Sequence, residues 1–237
     1  MNSYNYLGQE RSIDLSQTFS VLMRNVYTWM AAGLLMTAFT ALIIADNDAI
    51  KNTIRMTPAL MWGLFIAEIA MVLILSARIM KMSFLTAGLL FAGYAILNGV
   101  TMAFIFDVYT GASIAQTFFI TAGTFGGMSI VGFTTKKDLS TLGRMLFMLL
   151  IGLIIATIVN IFADITWLAM LLNYVGVLIF VGLTAYDTQK IKHMLLTYSE
   201  AGVNDQTNKL ALLGSLTLYL DFINLFLFIL RIFGDRK

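Results

Sequence analysis

The sequence predicts an all-α polytopic membrane protein with seven transmembrane helices, and three observations carry that prediction. Of the 237 residues 59% are hydrophobic and only 12% charged, about half the charge of an average soluble domain. The apolar residues gather into runs of about 20, the length that crosses a bilayer core of ~30 Å. A single proline, Pro58, leaves those runs free to form unkinked helices. The chain has no cysteine, so neither a disulfide framework nor a thiolate metal site is available. With a net charge of +2 and no dense basic cluster, nucleic acid is not an expected partner.

The runs lie at Val26–Ala45, Pro58–Ala77, Phe84–Phe106, Ala115–Phe133, Met145–Phe162, Trp167–Tyr186 and Leu210–Ile232. Residues 1–20 are polar and mixed in charge, without the basic start and short apolar stretch of a signal peptide, and read as a short cytosolic tail. The remainder, 21–237, reads as one membrane domain, because the connections are too short to hold another. The longest is roughly Lys190–Lys209. Of the fifteen Lys and Arg residues, ten fall on the side of the N-terminus and five on the other. The positive-inside rule then puts the N-terminus in the cytosol.

Small residues at Gly88, Gly93, Gly123, Gly127, Gly176 and Gly182 mark places for close helix packing, Gly123 and Gly127 forming a GxxxG spacing. The fifteen methionines read as flexible filler. Trp29, Trp62 and Trp167 lie near span ends or at lipid-facing positions, which suits interfacial anchoring.

A charge at mid-span costs about 2.5–3.5 kcal/mol on insertion scales, so each one needs a reason. Asp107 falls at a span end and needs none. Glu68, midway along the second run, is equally well read as a carboxyl bonded to a neighbouring helix or as part of a pathway. In the seventh run Gly214, Thr217, Asp221 and Asn224 share one helix face. Asn173, Gly176, Phe180, Thr184 and Asp187 do the same in the sixth. The two stripes are antiparallel neighbours, each with one aspartate. Drawn with these boundaries, however, Asp221 lies about 17 Å deeper than Asp187. If the carboxyls meet, they titrate as a coupled unit, held together by a shared proton and parted, or bridged by a cation, when it leaves. Calcium prefers 6–8 oxygens; two aspartates with Thr184, Thr217 or water offer a transient station for it. Arg78, ending the second run, either pairs with Asp187 as a latch or extends to the lipid headgroups beside Lys81.

Enzyme motifs are absent. The one histidine, His193, has no cysteine or second histidine to build a metal centre, and no GxxxxGK, GxSxG or HExxH pattern occurs. No enzymatic activity and no resident cofactor are expected. In Thr134–Ser140 (TTKKDLS), Asp138 or Ser140 suits a helix cap.

Three stretches, Thr134–Ser140, Gly182–Lys192 (GLTAYDTQKIK) and Leu218–Arg231 (LYLDFINLFLFILR), resemble the Bax inhibitor-1 (transmembrane Bax inhibitor motif) family, and the pattern is most similar to bacterial inner-membrane members. The resemblance implies seven helices with the C-terminal one central. It also implies that Asp187 and Asp221 are neighbours, and that the pair gates a pH-sensitive calcium leak. An arginine near the end of the second span pairs with the first aspartate in that pattern; Arg78 is the nearest match, offset by about one position. The expected function is therefore a proton-gated calcium leak of the bacterial cytoplasmic membrane, with Asp187 and Asp221 as gate and transient calcium ligands, Arg78 as candidate latch, and Thr184, Thr217, Asn224 and Glu68 as pathway candidates. Its partners are the bilayer, protons and calcium as permeant ion. The alternative is a non-transporting regulator that binds a membrane protease or a stress-response protein.

Overall fold

The computed structural model describes residues 3–237, with side-chain surroundings given from Leu15 onward. The chain is helical almost throughout. Its helices are α1 (Ser3–Ala45), α2 (Asp48–Met56), α3 (Pro58–Arg78), α4 (Phe84–Met102), the single turn α5 (Ile105–Val108), α6 (Gly111–Thr134), α7 (Ser140–Ala163), α8 (Thr166–Tyr198) and α9 (Asp205–Phe233). Seven of them, α1, α3, α4, α6, α7, α8 and α9, are long and apolar enough to cross a membrane. Among the described residues there is no strand, only an isolated bridge between Tyr109 and Arg236.

Two boundaries differ from the sequence expectation in ways that matter. The stretch 3–20, expected as a tail, has a helical backbone continuous with the first span; residues 1–2 and the side chains of 3–14 lie outside the described part. The sixth span does not stop at Tyr186. α8 runs on to Tyr198 and is followed by a 3₁₀ turn, Ser199–Ala201, so most of the expected loop is helix. Hydropathy misses this extension because helix formation does not require apolar side chains once the backbone is already helical. The turn into α9 is made by Gly202 at φ 72°, a conformation open to glycine without steric cost. Asn204 and Thr207 then bond each other's backbone N–H and start α9. The nine-residue α2, capped by Asn47 on Ile50 N, is a further element that no apolar run announces.

The described chain forms two compact units. The first contains residues 1–104 and 191–216. Here α1 and α4 pack closely: Gly99 faces the Thr37 backbone, and the Thr37 hydroxyl donates to Ala95 O at 2.8 Å. Trp29 is not a lipid anchor as expected. Its ring lies edge-on to Phe84 and Phe91 and covers Gly88. Trp62 and Trp167 are exposed, as expected of lipid-facing residues. At the base of this unit Lys209, nearly buried, donates to Met82 O at 3.0 Å and pairs with Asp205 at 2.8 Å. Lys209→Met removes both contacts and leaves the Met82 carbonyl unpaired, at a cost of about 1–3 kcal/mol. A drop in melting temperature of several degrees in detergent is the expected result.

The second unit contains residues 105–190 and 217–237. Its close approaches do not use the GxxxG pair. Gly123 and Gly127 have nothing within 4 Å of a would-be Cβ, whereas one at Gly132 would fall on the backbone of Ala185, and one at Gly143 on the ring of Tyr186. These glycines bring α6 and α7 against α8. Gly176 lies under Phe228 of α9, whose ring stacks on Phe180 at 5.8 Å. Phe118 and Phe125 of α6 close on Phe222 of α9 at 5.4 and 5.5 Å. Beyond α9 the chain is laced back to the α5–α6 region. Thr110 N donates to Asp235 O, Asp235 N to Ser113 Oγ, Lys237 N to Val108 O and Lys237 Nζ to Phe106 O. α9 is the most enclosed of the spans, 56% of its apolar window being buried against 6–33% in the others; this is the burial of a helix packed on several sides.

Candidate functional site: a buried aspartate pair

Asp187 of α8 and Asp221 of α9 belong to the second unit and share a hydrogen bond between their carboxyl groups. Asp187 is 8% exposed and Asp221 4%. A carboxylate has nothing to donate, so a direct bond between two carboxyls requires that one of them carry a proton. Asp221 Oδ2 is buried with no hydrogen-bond partner, an open acceptor in a setting where unmet polar atoms are costly.

The depth mismatch expected from the sequence is absent for a simple reason. Asp187 is interior to α8, eleven residues before Tyr198, and the 3₁₀ turn adds further length before α9 begins at Asp205. That extra rise, ~1.5 Å per α-helical residue and ~2.0 Å per 3₁₀ residue, offsets the sixteen residues between Asp205 and Asp221.

The pair lies on a groove of ≈ 980 Å³ formed by α7, α8 and α9. Thr217 and Asn224 line it with the aspartates, as the polar stripe predicted. Asn224 Nδ2 donates to Leu220 O at 2.8 Å, which leaves its amide oxygen as an acceptor for the groove. Thr184 is fully buried and its hydroxyl donates to Phe180 O within its own helix, so it does not line the groove. Glu68 is in the first unit, half-buried, and accepts from Thr101 Oγ1 at 2.7 Å. That is the inter-helix carboxyl bond, the plainer of the two roles expected for it. Arg78 also belongs to the first unit, ends α3 and is exposed. No third Asp, Glu, His or Cys joins the pair to form a metal cluster among the described residues.

Three residues around the pair are not singled out by the sequence. Lys190, one helical turn beyond Asp187, is the cation whose charge acts on both carboxyls, and its Nζ lies 5.8 Å from the Tyr186 ring centre. The i, i+3 spacing is the available signal, hidden because a hydropathy boundary at Tyr186 puts Lys190 in a loop. Arg144 lines the same groove from α7. Gln189, 4% exposed, fastens the TTKKDLS segment to α8: Leu139 N donates to its Oε1 at 2.9 Å, and its Nε2 donates to Lys137 O at 2.8 Å. The N-cap position of α7 is Leu139 rather than either residue expected; Asp138, just before it, accepts from Ser140 N at 2.9 Å and turns the chain into the helix. Gln189→Leu keeps the bulk but loses both bonds, at about 1–3 kcal/mol. Trypsin should then cut after Lys136 or Lys137 markedly faster than in the wild type; an unchanged cleavage rate would mean the clip does not order the segment.

The profile of the family described as "Inhibitor of apoptosis-promoting Bax1" matches residues 19–237. The chain is 50% identical over 217 residues to the inner membrane protein YbhL of Escherichia coli, covering 91% of this chain and 92% of that one. A Borreliella burgdorferi protein, named only as uncharacterized, is 42% identical over 95% of this chain and 99% of its own length. Another so named, from Deinococcus radiodurans, is 39% identical over 97% and 96%. With seven apolar helices and these relatives, this is a multi-pass protein of the bacterial inner membrane, and the chain belongs to the Bax inhibitor family.

Proposed function

We propose that the protein is a proton-gated calcium leak in which the Asp187–Asp221 pair is the gate. The observation that carries this reading is the direct carboxyl–carboxyl hydrogen bond beside the unpartnered Asp221 Oδ2, at the groove. The shared proton is the closing element. While it is present, the pair is neutral enough at its centre to stay in contact. Once it leaves, two adjacent carboxylates repel each other at close range in a medium that screens poorly. The pair then separates or takes up a divalent cation between its oxygens. Calcium is a suitable cargo because it is a hard cation that binds carboxylate and carbonyl oxygen. Two carboxylates, the Thr217 hydroxyl, the Asn224 amide oxygen and water give a brief residence rather than a tight site, which is what a leak requires. In keeping with the distribution of Lys and Arg, we place the N-terminus in the cytosol.

The sign of the pH dependence follows. Proton binding belongs to the closed form, so acid favours closure and flux rises as pH is raised through the titration of the pair. Liposomes loaded with a calcium indicator and reconstituted with the wild-type protein should show this increase. A flux no greater than in empty liposomes at any pH would defeat the proposal.

A further inference from the structure

The groove that holds the aspartates has a second chemical character. Apart from its polar floor it is lined by hydrocarbon, including Phe147, Ile154, Leu220 and Phe228. Phe147 and Ile154 are 59% and 51% exposed, so nothing in the protein covers this wall. Two cations line the end of the groove where Gly143 of α7 meets Tyr186 of α8: Arg144 and Lys190. Their donors are largely unused. Among the described residues, Arg144 makes one hydrogen bond, a long one of 3.3 Å to Thr141 Oγ1, out of five N–H groups. Lys190 makes none there, having only the Tyr186 ring and the field of the aspartates.

An apolar trough of this volume suits an acyl chain, and two underused cations at one end suit a phosphate that fixes the chain's head. We propose that this groove is a binding site for an anionic phospholipid, with the phosphate held by Arg144 and Lys190 and an acyl chain laid along α7 and α9. This inference does not rest on the gating reading above.

The test uses full-length protein, delipidated in neutral detergent and titrated with phosphatidylglycerol, with phosphatidylcholine and inorganic phosphate as separate arms. Lipid retention is read by native mass spectrometry. Phosphatidylglycerol should bind more tightly than phosphatidylcholine, and free phosphate should have no effect at matched concentration. Arg144→Gln, an exposed position where folding is not at stake, should weaken phosphatidylglycerol binding about fivefold and phosphatidylcholine, whose choline offsets its phosphate, by less. Ile154→Trp, which narrows the trough, should weaken both lipids. Equal binding of the two lipids by the wild type, or no change in Arg144→Gln, overturns the site. Selective lipid retention together with pH-independent calcium flux would leave the lipid site standing and remove the gate.

Discussion

Asp221→Asn should flatten the pH profile of calcium flux and hold it near the low value expected of the wild type in acid. An asparagine amide donates a hydrogen bond to the Asp187 carboxylate at every pH, so it reproduces the protonated partner permanently. Asp221→Ala should also flatten the profile, at the opposite extreme. With no partner for Asp187 the closing bond cannot form, and flux stays high in acid as well. The two variants remove the same carboxyl and are expected to differ by about tenfold or more in acid-to-neutral conditions, a difference of ~1.4 kcal/mol in the closing equilibrium. Asp187→Asn should behave like Asp221→Asn, since the bond is shared and either side can supply the proton. If both asparagine variants keep the wild-type pH dependence, the proton that gates flux is bound elsewhere.

Gly132→Ala should be the most damaging single-methyl change in the second unit. The added carbon would meet the carbonyl oxygen, carbon and Cα of Ala185, none of which can rotate aside. α6 and α8 must separate, and overpacking of this kind costs ~1–3 kcal/mol or more. For a chain of this length that corresponds to a melting temperature lower by roughly 6–12 °C at the upper figure. Because Ala185 is two residues from Asp187, the displacement also misaligns the carboxyl pair, so pH-dependent flux should suffer in whatever fraction still folds. Gly127→Ala is the matched control: open space surrounds that position, and its melting curve should overlay the wild type. Identical melting of Gly132→Ala would show that α6 and α8 tolerate greater separation than the backbone contact implies.

How much of the fold and the site is legible in the sequence depends on which physical signal each residue carries. Apolar runs of bilayer length are strong signals, and all seven mark a span. The polar stripe of Thr217, Asp221 and Asn224 is legible from helical spacing alone, because burying three polar residues on one face of an apolar helix is costly unless that face meets polar groups or water. The meeting of Asp187 with Asp221 is legible from the family resemblance but not from the span boundaries, because it depends on helical length beyond Tyr186, where the side chains are polar and hydropathy falls silent. Gln189 and Lys190 are hidden by the same boundary. The glycine contacts are legible in part: Gly88, Gly93, Gly176 and Gly182 each meet a neighbouring side chain as expected, but spacing only shows where a close approach is permitted, and the partner helix decides where it is used. Gly132 has that partner in Ala185, and Gly123 and Gly127 have none. The sequence leaves two readings open for each of Glu68 and Arg78; the first has a hydroxyl partner in Thr101 and the second an exposed side chain.

The lacing of residues 234–237 onto the segment from Phe106 to Ser113 has a mechanical consequence for the proposed gate. Four hydrogen bonds hold the far end of α9, so sliding or turning that helix would have to break them together. α8 beside Asp187 is fastened through Gln189 to a short segment that can travel with it. If the pair gates flux as proposed, α9 is expected to be the stator and α8 the rotor. Spin labels placed on α8 and on the Thr134–Ser140 segment should keep their separation across a pH step, while the distance from either one to α9 changes.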